Sequence, residues 1–107
     1  MYEVIVTEEN LGRTIKVPRD AVIVMKIGED AATGYGWSIE AIDFNRLQMV
    51  SSIFTFSANP PLGSKGYRTI RIRAKEKGPA EVILKHWNKD DENPSIDRRL
   101  TVKIQVE

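Results

Sequence analysis

Cysteine is absent from this 107-residue chain, and histidine occurs only once. Without cysteine the protein has no disulfide, no thiolate metal site and no thiol nucleophile, and the redox state of its compartment stays open. No apolar run approaches the roughly 18 residues of a membrane-spanning helix, so we expect no membrane partner. Sixteen basic residues against 15 acidic ones leave a formal net charge of +1, which gives no reason to expect nucleic acid as a partner.

The length and composition are typical of a single globular domain spanning residues 1–107. Hydrophobic residues make up 41% of the chain and charged residues 29%, so the composition favours a folded core over disorder. The N-terminus has neither the basic region nor the apolar run of a signal peptide. We expect a cytoplasmic protein, or a periplasmic or secreted one if a leader has been removed.

Short runs of β-favouring residues, separated by turn residues, fill the sequence, and no segment shows a sustained helical period. The last run is the clearest, because Leu100, Val102, Ile104 and Val106 alternate with polar residues, as in a sheet with one wet face. The predicted strands are 2–7, 13–17, 21–27, 37–42, 47–57, 67–74, 80–87 and 98–106. One helical turn is expected near 42–45.

The alternation predicts the core and the fold class. The expected inward-facing side chains are Ile23, Met25 and Ile27 of the third strand, Phe54 and Phe56 of the fifth, and Ile70, Ile72 and Ala74 of the sixth. Lys65, Arg68, Arg71 and Arg73 are interpreted as the solvated face of a strand. Seven to eight short strands predict an all-β protein, an immunoglobulin-like antiparallel β-sandwich, with a small barrel as the alternative. We expect a monomer, although edge strands of a sandwich can pair.

Loop lengths alternate along the chain. The loops after the third, fifth and seventh strands are long (28–36, 58–66 and 88–97), whereas those after the second, fourth and sixth are short. Because consecutive strands run in opposite directions, every second loop emerges at the same end. The three long loops are therefore predicted to converge, and long loops in compact domains are usually functional. This convergence indicates a composite binding surface.

Strand parity separates the two tryptophans. Trp37 shares a face with Ile39 and Ala41 and is predicted to point inward, as a structural anchor for the base of the first long loop. Trp87 has the opposite parity from Leu84 and is predicted to point outward at the mouth of the third long loop, unless a neighbouring loop covers it. An exposed tryptophan at such a position is a candidate interface anchor.

The glycines of the first two long loops make the backbone permissive where another chain must come close. Gly34 and Gly36 follow Thr33 at the tip of the first loop, and Gly63 and Gly66 follow two prolines in the second. The second loop leads into a strand, unlike a phosphate-binding loop, which leads into a helix. An extended segment with few side chains suits contact with another protein's backbone.

Groups that could support catalysis or metal binding do not form a recognisable site. His86 has no cysteine partner, its parity predicts an inward, structural position, and no serine stands in a nucleophile-elbow context. Asp90, Asp91 and Glu92 lie in the charged third loop without the spacing of a calcium loop. We therefore expect neither an enzyme nor a bound metal or cofactor.

The three loops together resemble the chagasin family, the immunoglobulin-like inhibitors of papain-type cysteine proteases. Members carry the motifs Asn-Pro-Thr-Thr-Gly-Tyr-x-Trp, Gly-x-Gly-Gly and Arg-Pro-Trp, in that order. The first is similar to residues 30–37, where Thr33, Gly34, Tyr35 and Trp37 match. The second is similar to Gly63–Gly66 and the third to Lys85–Trp87, and the similarity in order and spacing spans roughly residues 15–106.

The resemblance implies a reversible inhibitor that occludes the active-site cleft of a papain-type cysteine protease. The loop around Thr33 would cover the catalytic cysteine, the Gly63–Gly66 segment would run along the unprimed side as an added strand, and Trp87 would pack against the primed side. A stiff sandwich would hold these loops in place before binding, which lowers the entropy lost on docking. The implied protease-binding residues are Ala31, Ala32, Thr33, Gly34, Tyr35, Gly63, Ser64, Lys65, Gly66, Lys85, His86 and Trp87.

The chain departs from the family motifs at several positions. Ala31 replaces a proline, which is expected to free the first loop, and Lys65 adds bulk and charge where the motif has an inner glycine. His86 replaces the proline of the third motif. The alternative is therefore a non-inhibitory immunoglobulin-like module that binds another protein or a glycan through the same loops, because a scaffold can outlast one function.

Overall fold

The computed structural model describes residues 2–90 and 95–107. The strands are β1 (Glu3–Thr7), β2 (Ile15–Val17), β3 (Val22–Asp30), β4 (Tyr35–Ile42), β5 (Leu47–Phe56), β6 (Lys65–Ala74), β7 (Gly78–Asn88) and β8 (Ser95–Val106). Two short 3₁₀ turns, at Glu8–Asn10 and Ala31–Thr33, were not predicted. In the described ranges no helix is long and apolar enough to cross a membrane.

The strands form two separate four-stranded sheets, in the orders β1-β3-β6-β5 and β2-β8-β7-β4. Pairing is antiparallel except at two edges, where β1 pairs with β3 and β2 pairs with β8 in parallel. These parallel pairs arise because the chain changes sheet between β1 and β2 and returns for β3. The immunoglobulin-like sandwich is confirmed, and the barrel alternative is wrong.

The core lies between the two sheets and follows the predicted alternation. Fully buried side chains from one sheet include Ile23, Met25, Ile27, Ile70 and Ile72, and those from the other include Val82, Leu84, Val102, Ile104 and Val106. The predicted inward sets of β3, β6 and β8 are therefore confirmed. Apolar side chains at every second position pack against the opposite sheet because successive residues of a strand point to opposite faces.

The predicted core position of the two phenylalanines of β5 is wrong. Leu47 is the fully buried residue of this strand, whereas Phe56 is 41% exposed and Phe54 is half-buried. The register puts Phe54 and Phe56 opposite Arg68 and Gly66, at the end of an edge strand, where no neighbouring strand covers one side. The two rings pack edge to face on each other, with centroids 5.0 Å apart.

A register shift in β4 changes a second predicted position. The shift lies between Ile39 and Ala41, so Ala41 is exposed and Ile42 packs against the core instead. After β4 the chain makes the expected helical turn, which Leu47 closes by donating its backbone N–H to the Asp43 carbonyl oxygen at 2.9 Å.

The strand directions bring the β3–β4, β5–β6 and β7–β8 connections to one end of the sandwich. We call residues 31–34 the first loop, 57–64 the second loop and 89–94 the third loop. All three are shorter than predicted because the strands extend further. Residues 91–94, including Asp91 and Glu92, lie outside the described residues. The β1–β2 connection emerges in the same direction but does not reach the three loops. β1 ends at Thr7, opposite Lys26, whereas β3 continues for four more residues to Asp30.

Candidate functional site

The first and second loops are joined by hydrogen bonds. The Ala31 backbone N–H donates to the Ser64 carbonyl oxygen at 3.0 Å, and the Ser64 hydroxyl donates to the Asp30 carboxylate. The register continues this contact, since Asp30 lies opposite Lys65 at the end of the β3–β6 ladder. The two loops therefore form one continuous edge.

The first loop and the start of β4 also contact the strand ends that flank the third loop. Gly34 lies against the Asn88 side chain, so that a Cβ on Gly34 would sit 3.1 Å from Asn88 Nδ2. The Tyr35 and Ser95 hydroxyls are hydrogen-bonded at 2.8 Å. The first loop thus lies in the middle of a surface that we call the rim, formed by residues 31–35, 57–66 and 85–90.

The first loop is a closed turn that its own side chains stabilise. Asp30 Oδ1 accepts a hydrogen bond from the Ala32 backbone N–H at 3.0 Å. The Thr33 hydroxyl donates to the Asp30 carbonyl oxygen at 2.9 Å and accepts from the Tyr35 N–H at 3.1 Å. Gly34 then adopts a left-handed conformation with φ of +77°, which glycine tolerates without a steric penalty.

The carboxylate of Asp30 is held in its charged form. The hydrogen bond from Ser64 is the largest effect that lowers the pKa of Asp30, followed by the backbone N–H of Ala32 and the nearby charge of Lys65. Where the family motif has proline at the position of Ala31, this chain therefore restricts the loop by capping it. These bonds offset the freedom expected from the missing proline.

The base of the rim contains an ion pair between β3 and β6, neighbouring strands of one sheet. Glu29 accepts hydrogen bonds from Arg68 Nη2 at 2.8 Å and Arg68 Nε at 3.2 Å, and from the Trp37 backbone N–H at 2.7 Å. The Glu29 side chain is 5% exposed and the Arg68 side chain 22%. The assignment of Arg68 to a solvated face is therefore wrong. Its parity with Ile70 was the available signal, because alternate residues of a strand share a face.

Trp37 is buried, as its parity predicts, with 3% of its surface exposed. Its indole N–H donates to the Gly28 carbonyl oxygen at 3.1 Å. His86 is also inward: its ring lies 4.9 Å from the Trp37 ring and 5.3 Å from the Tyr35 ring. His86 Nδ1 is 2.7 Å from the Asp97 carboxylate. These aromatic rings support the first loop from below.

Trp87 lies on the outer face of β7 and is half-buried. Its indole N–H donates to the Ser38 hydroxyl at 3.0 Å, and Lys85 Nζ lies 4.0 Å from its ring centroid. Gly36 is directly opposite in the β4–β7 register, and a Cβ there would sit 3.2 Å from Glu29 Oε1. Neighbours on its own face thus orient the ring, and part of it remains open to solvent.

The second loop exposes an apolar side chain that was not among the predicted contact residues. Leu62 is 90% exposed, next to Gly63, which has φ of +109° and open space around it. An apolar residue between proline and glycine at a loop tip was the available signal. Gly66, unlike Gly63, is closely packed, because a Cβ there would sit 2.1 Å from the Thr55 carbonyl oxygen. Lys65 is exposed between these positions.

The chemistry of the rim is that of a contact surface. Ala31, Ala32, Thr33 and Gly34 are exposed, whereas Tyr35 is half-buried. Across residues 2–90 and 95–107, no group of three or more metal-ligating side chains is assembled. The rim therefore offers small side chains, bare backbone and two large apolar groups to a partner.

Comparisons with known proteins agree with this geometry. The sequence model of the chagasin family, peptidase inhibitor family I42, matches residues 16–106. No curated protein sequence is significantly similar to the chain.

Solved structures of the same fold are similar over nearly the whole chain. The cysteine protease inhibitor EhICP2 from Entamoeba histolytica has a TM-score of 0.83 at 18% identity, covering 99% of this chain and 96% of that chain. Amebosin has a TM-score of 0.76 at 20% identity, covering 100% and 99%. PbICP-C, solved in complex with falcipain-2, has a TM-score of 0.60 at 12% identity, covering 98% and 89%. The family model spans most of the chain, and its members are inhibitors and not enzymes. This chain belongs to the chagasin family of peptidase inhibitors.

Proposed function

We propose that this inhibitor blocks papain-type cysteine proteases reversibly, by inserting the rim into the active-site cleft. The observation that carries the proposal is the position of the first loop, which is hydrogen-bonded to the second loop on one side and lies against Asn88, the residue before the third loop, on the other. The related fold PbICP-C is found in complex with falcipain-2, which supports a protease as the partner. Family membership favours inhibition over the alternative of a non-inhibitory module.

The closed turn of the first loop explains why insertion would block the cleft without cleavage. Residues 31–33 form a 3₁₀ turn, and Gly34 continues it in a left-handed conformation. A turn closed by its own hydrogen bonds does not present an extended peptide segment to a catalytic nucleophile. The same bonds lower the entropic cost of docking. This cost is about 0.5–1.5 kcal/mol of free energy for each flexible side chain that binding immobilises.

The structure suggests different roles for the residues of the rim. The single hydroxyl of Thr33 both donates and accepts a hydrogen bond inside the turn, so we assign Thr33 to loop stability. Ala31, Ala32 and Gly34 are exposed and would make the central contacts.

The flanking contacts would come from the second and third motifs. Gly63, Ser64 and Lys65 would align along one side of the cleft, with Leu62 as an apolar contact beside them. Gly66 allows close packing of β5 on β6. Trp87, oriented by Lys85, would be the anchor on the other side.

Tyr35 and His86 would act from beneath the first loop. Their rings stack with centroids 5.3 Å apart, and both side chains are half-buried. They would therefore hold the loop in position, with little direct contact to the protease.

The test is titration of papain and a small panel of related enzymes with the wild-type protein and two variants. Trp87→Ala should weaken inhibition at least about tenfold, since truncation of an interface tryptophan often costs about 2 kcal/mol or more. Phe44→Ala is the matched control, because Phe44 is 72% exposed and lies in the β4–β5 turn at the opposite end of the sandwich. Its inhibition constant should not change.

Two results would contradict the proposal. One is full peptidase activity of every enzyme at about 10 μM inhibitor, a concentration roughly a thousandfold above a nanomolar dissociation constant. The other is an equal loss of inhibition in Trp87→Ala and Phe44→Ala while both variants remain folded by circular dichroism.

A further inference from the structure

β5 is an edge strand with an unusual composition. It lies at the end of its sheet, and β6 is its partner there. Of the eight strands in the described part of the chain, only β5 has no charged residue over its ten positions, Leu47–Phe56. Proteins usually protect an exposed edge with lysine, proline or a very short strand. The edge strand β2 is three residues long, and the edge strand β1 carries Glu3.

Large apolar side chains are exposed on both faces of β5. Met49 is 39% exposed, Val50 53%, Ile53 52% and Phe56 41%. A strand with apolar residues on both faces is typical of the interior of a sheet, where neighbours cover both sides. β5 therefore has the sequence of a central strand and the position of an edge strand.

Geometry restricts the segment that can accept a further strand. The register between β5 and β6 shifts between Met49 and Ser51, so the regular part of the edge begins at Ser51. Ile53 lies opposite Thr69, on the outer face of the sheet, since Ile70 faces the core. Ser51 and Thr55 share this outer face with Ile53 because side chains alternate along a strand.

We infer that β5 pairs with β5 of a second copy of this chain, antiparallel over residues 51–55, so that two four-stranded sheets become one sheet of eight strands. A twofold axis perpendicular to a sheet pairs residues of the same face, which places Ile53 opposite Ile53 of the second copy. Ser51 then lies opposite Thr55 on both sides of the axis.

The residues matched in this way are compatible with each other. Ser–Thr pairs can form hydrogen bonds across strands, and opposed β-branched side chains pack well. A second copy is the favoured occupant because an uncharged strand meets itself without repulsion between like charges. This inference differs from the expectation of a monomer and does not depend on the proposed function.

The association should be weak, because one added strand pair buries less than the roughly 1,600 Å² of a standard interface. Sedimentation equilibrium from about 5 μM to about 500 μM covers the range expected for such a contact. The mean mass of the wild type should rise from 12.1 kDa toward a twofold higher value and stop there. Ile53→Lys should keep the monomer mass throughout, because it places two like charges on the axis.

Ile5→Lys is the matched control. Ile5 is 62% exposed on β1, the opposite edge of the same sheet, and this variant should associate like the wild type. Thermal melting of both variants near the wild-type midpoint excludes unfolding as the cause of a difference.

A covalent trap provides a second measurement, because the chain has no cysteine. Directly opposed residues have Cα atoms roughly 4.5–5.5 Å apart, within the roughly 4.4–6.8 Å that a disulfide spans. Ile53→Cys should therefore form a disulfide-linked dimer when oxidised by oxygen. The two thiols lose two protons and two electrons to the oxidant. Ile5→Cys should remain monomeric under the same conditions.

Several outcomes would overturn the inference. They are a wild-type protein that stays monomeric across the whole range, equal behaviour of the Ile53 and Ile5 variants, and growth beyond a dimer, which would exclude a closed twofold contact. If the wild type is monomeric and Ile53→Lys weakens its binding to a protease, the β5 edge contacts the protease instead of a second copy.

Discussion

The ion pair between Glu29 and Arg68 joins two neighbouring strands of one sheet beneath the first loop, and Glu29 also accepts the Trp37 N–H of the opposite sheet. Removing the pair is the sharpest test of how the rim is supported. Arg68→Met removes two of the three hydrogen bonds that the Glu29 carboxylate accepts and leaves only the Trp37 N–H. The Glu29 side chain is 5% exposed, so the loss of these donors leaves its charge largely buried with one donor. A buried charge without its partner is strongly unfavourable.

The magnitude follows from the burial of the two partners. Breaking a buried ion pair costs about 3–5 kcal/mol. The Arg68 side chain is 22% exposed, so we expect the lower end of this range, about 3 kcal/mol. In a domain of this size about 1 kcal/mol lowers the melting temperature by roughly 4 °C or more, so Arg68→Met should lower it by at least about 12 °C.

A double-mutant cycle separates the pair from the general effect of losing a side chain. Glu29→Gln should be less harmful than Arg68→Met, because the amide can still accept from Trp37 and the more exposed Arg68 can reach water. The variant with both changes should be more stable than the sum of the single losses predicts, with a coupling of about 1 kcal/mol or more. Arg71→Met is the control, since Arg71 lies on the opposite face of the same strand from Arg68.

The measurements are thermal melting and urea denaturation of the four proteins and the control. The same proteins should also be titrated against a protease that the wild type inhibits. The larger the fraction of molecules in which the first loop is displaced, the weaker the inhibition should be. A change in melting temperature below about 3 °C for Arg68→Met, or equal effects of Arg68→Met and Arg71→Met, would refute the structural role of the pair.

Two further predictions concern the loops. Gly66→Ala should destabilise the protein by about 1–3 kcal/mol, measured by urea denaturation, because its Cβ would sit 2.1 Å from the Thr55 carbonyl oxygen. Gly63→Ala should also destabilise, because its φ of +109° is one that residues with a Cβ rarely adopt, but by less than Gly66→Ala, since open space surrounds Gly63. A larger loss for Gly63→Ala would contradict this difference. The pKa of Asp30 is lowered from 3.8, so its stabilisation of the first loop is present above that value and is lost as the pH falls through the lowered pKa. Amide exchange at Ala32, followed by NMR down to low pH, should report this loss, and Asp30→Asn should not show the same acid step.

The sequence by itself determined the elements, most of the core and the convergence of the loops. The period-two alternation in β3, β6 and β8 is a local property, and it identified Ile23, Ile72 and Ile104 as core residues. Strand order and loop length then placed the three long connections at one end, because consecutive strands reverse direction. The family motifs lie on these connections or in the strand ends beside them.

Only the tertiary structure decided the positions that depend on contacts between distant segments. The register shifts in β4 and β5 change which residues face inward, and no local pattern marks them. Glu29 and Arg68 are 39 residues apart, and their pairing follows from the register of β3 on β6. The edge position of β5 likewise depends on the order of strands in the sheet. Alternation fixes the face of a side chain along one strand, whereas its partners are set by which strands are neighbours in space.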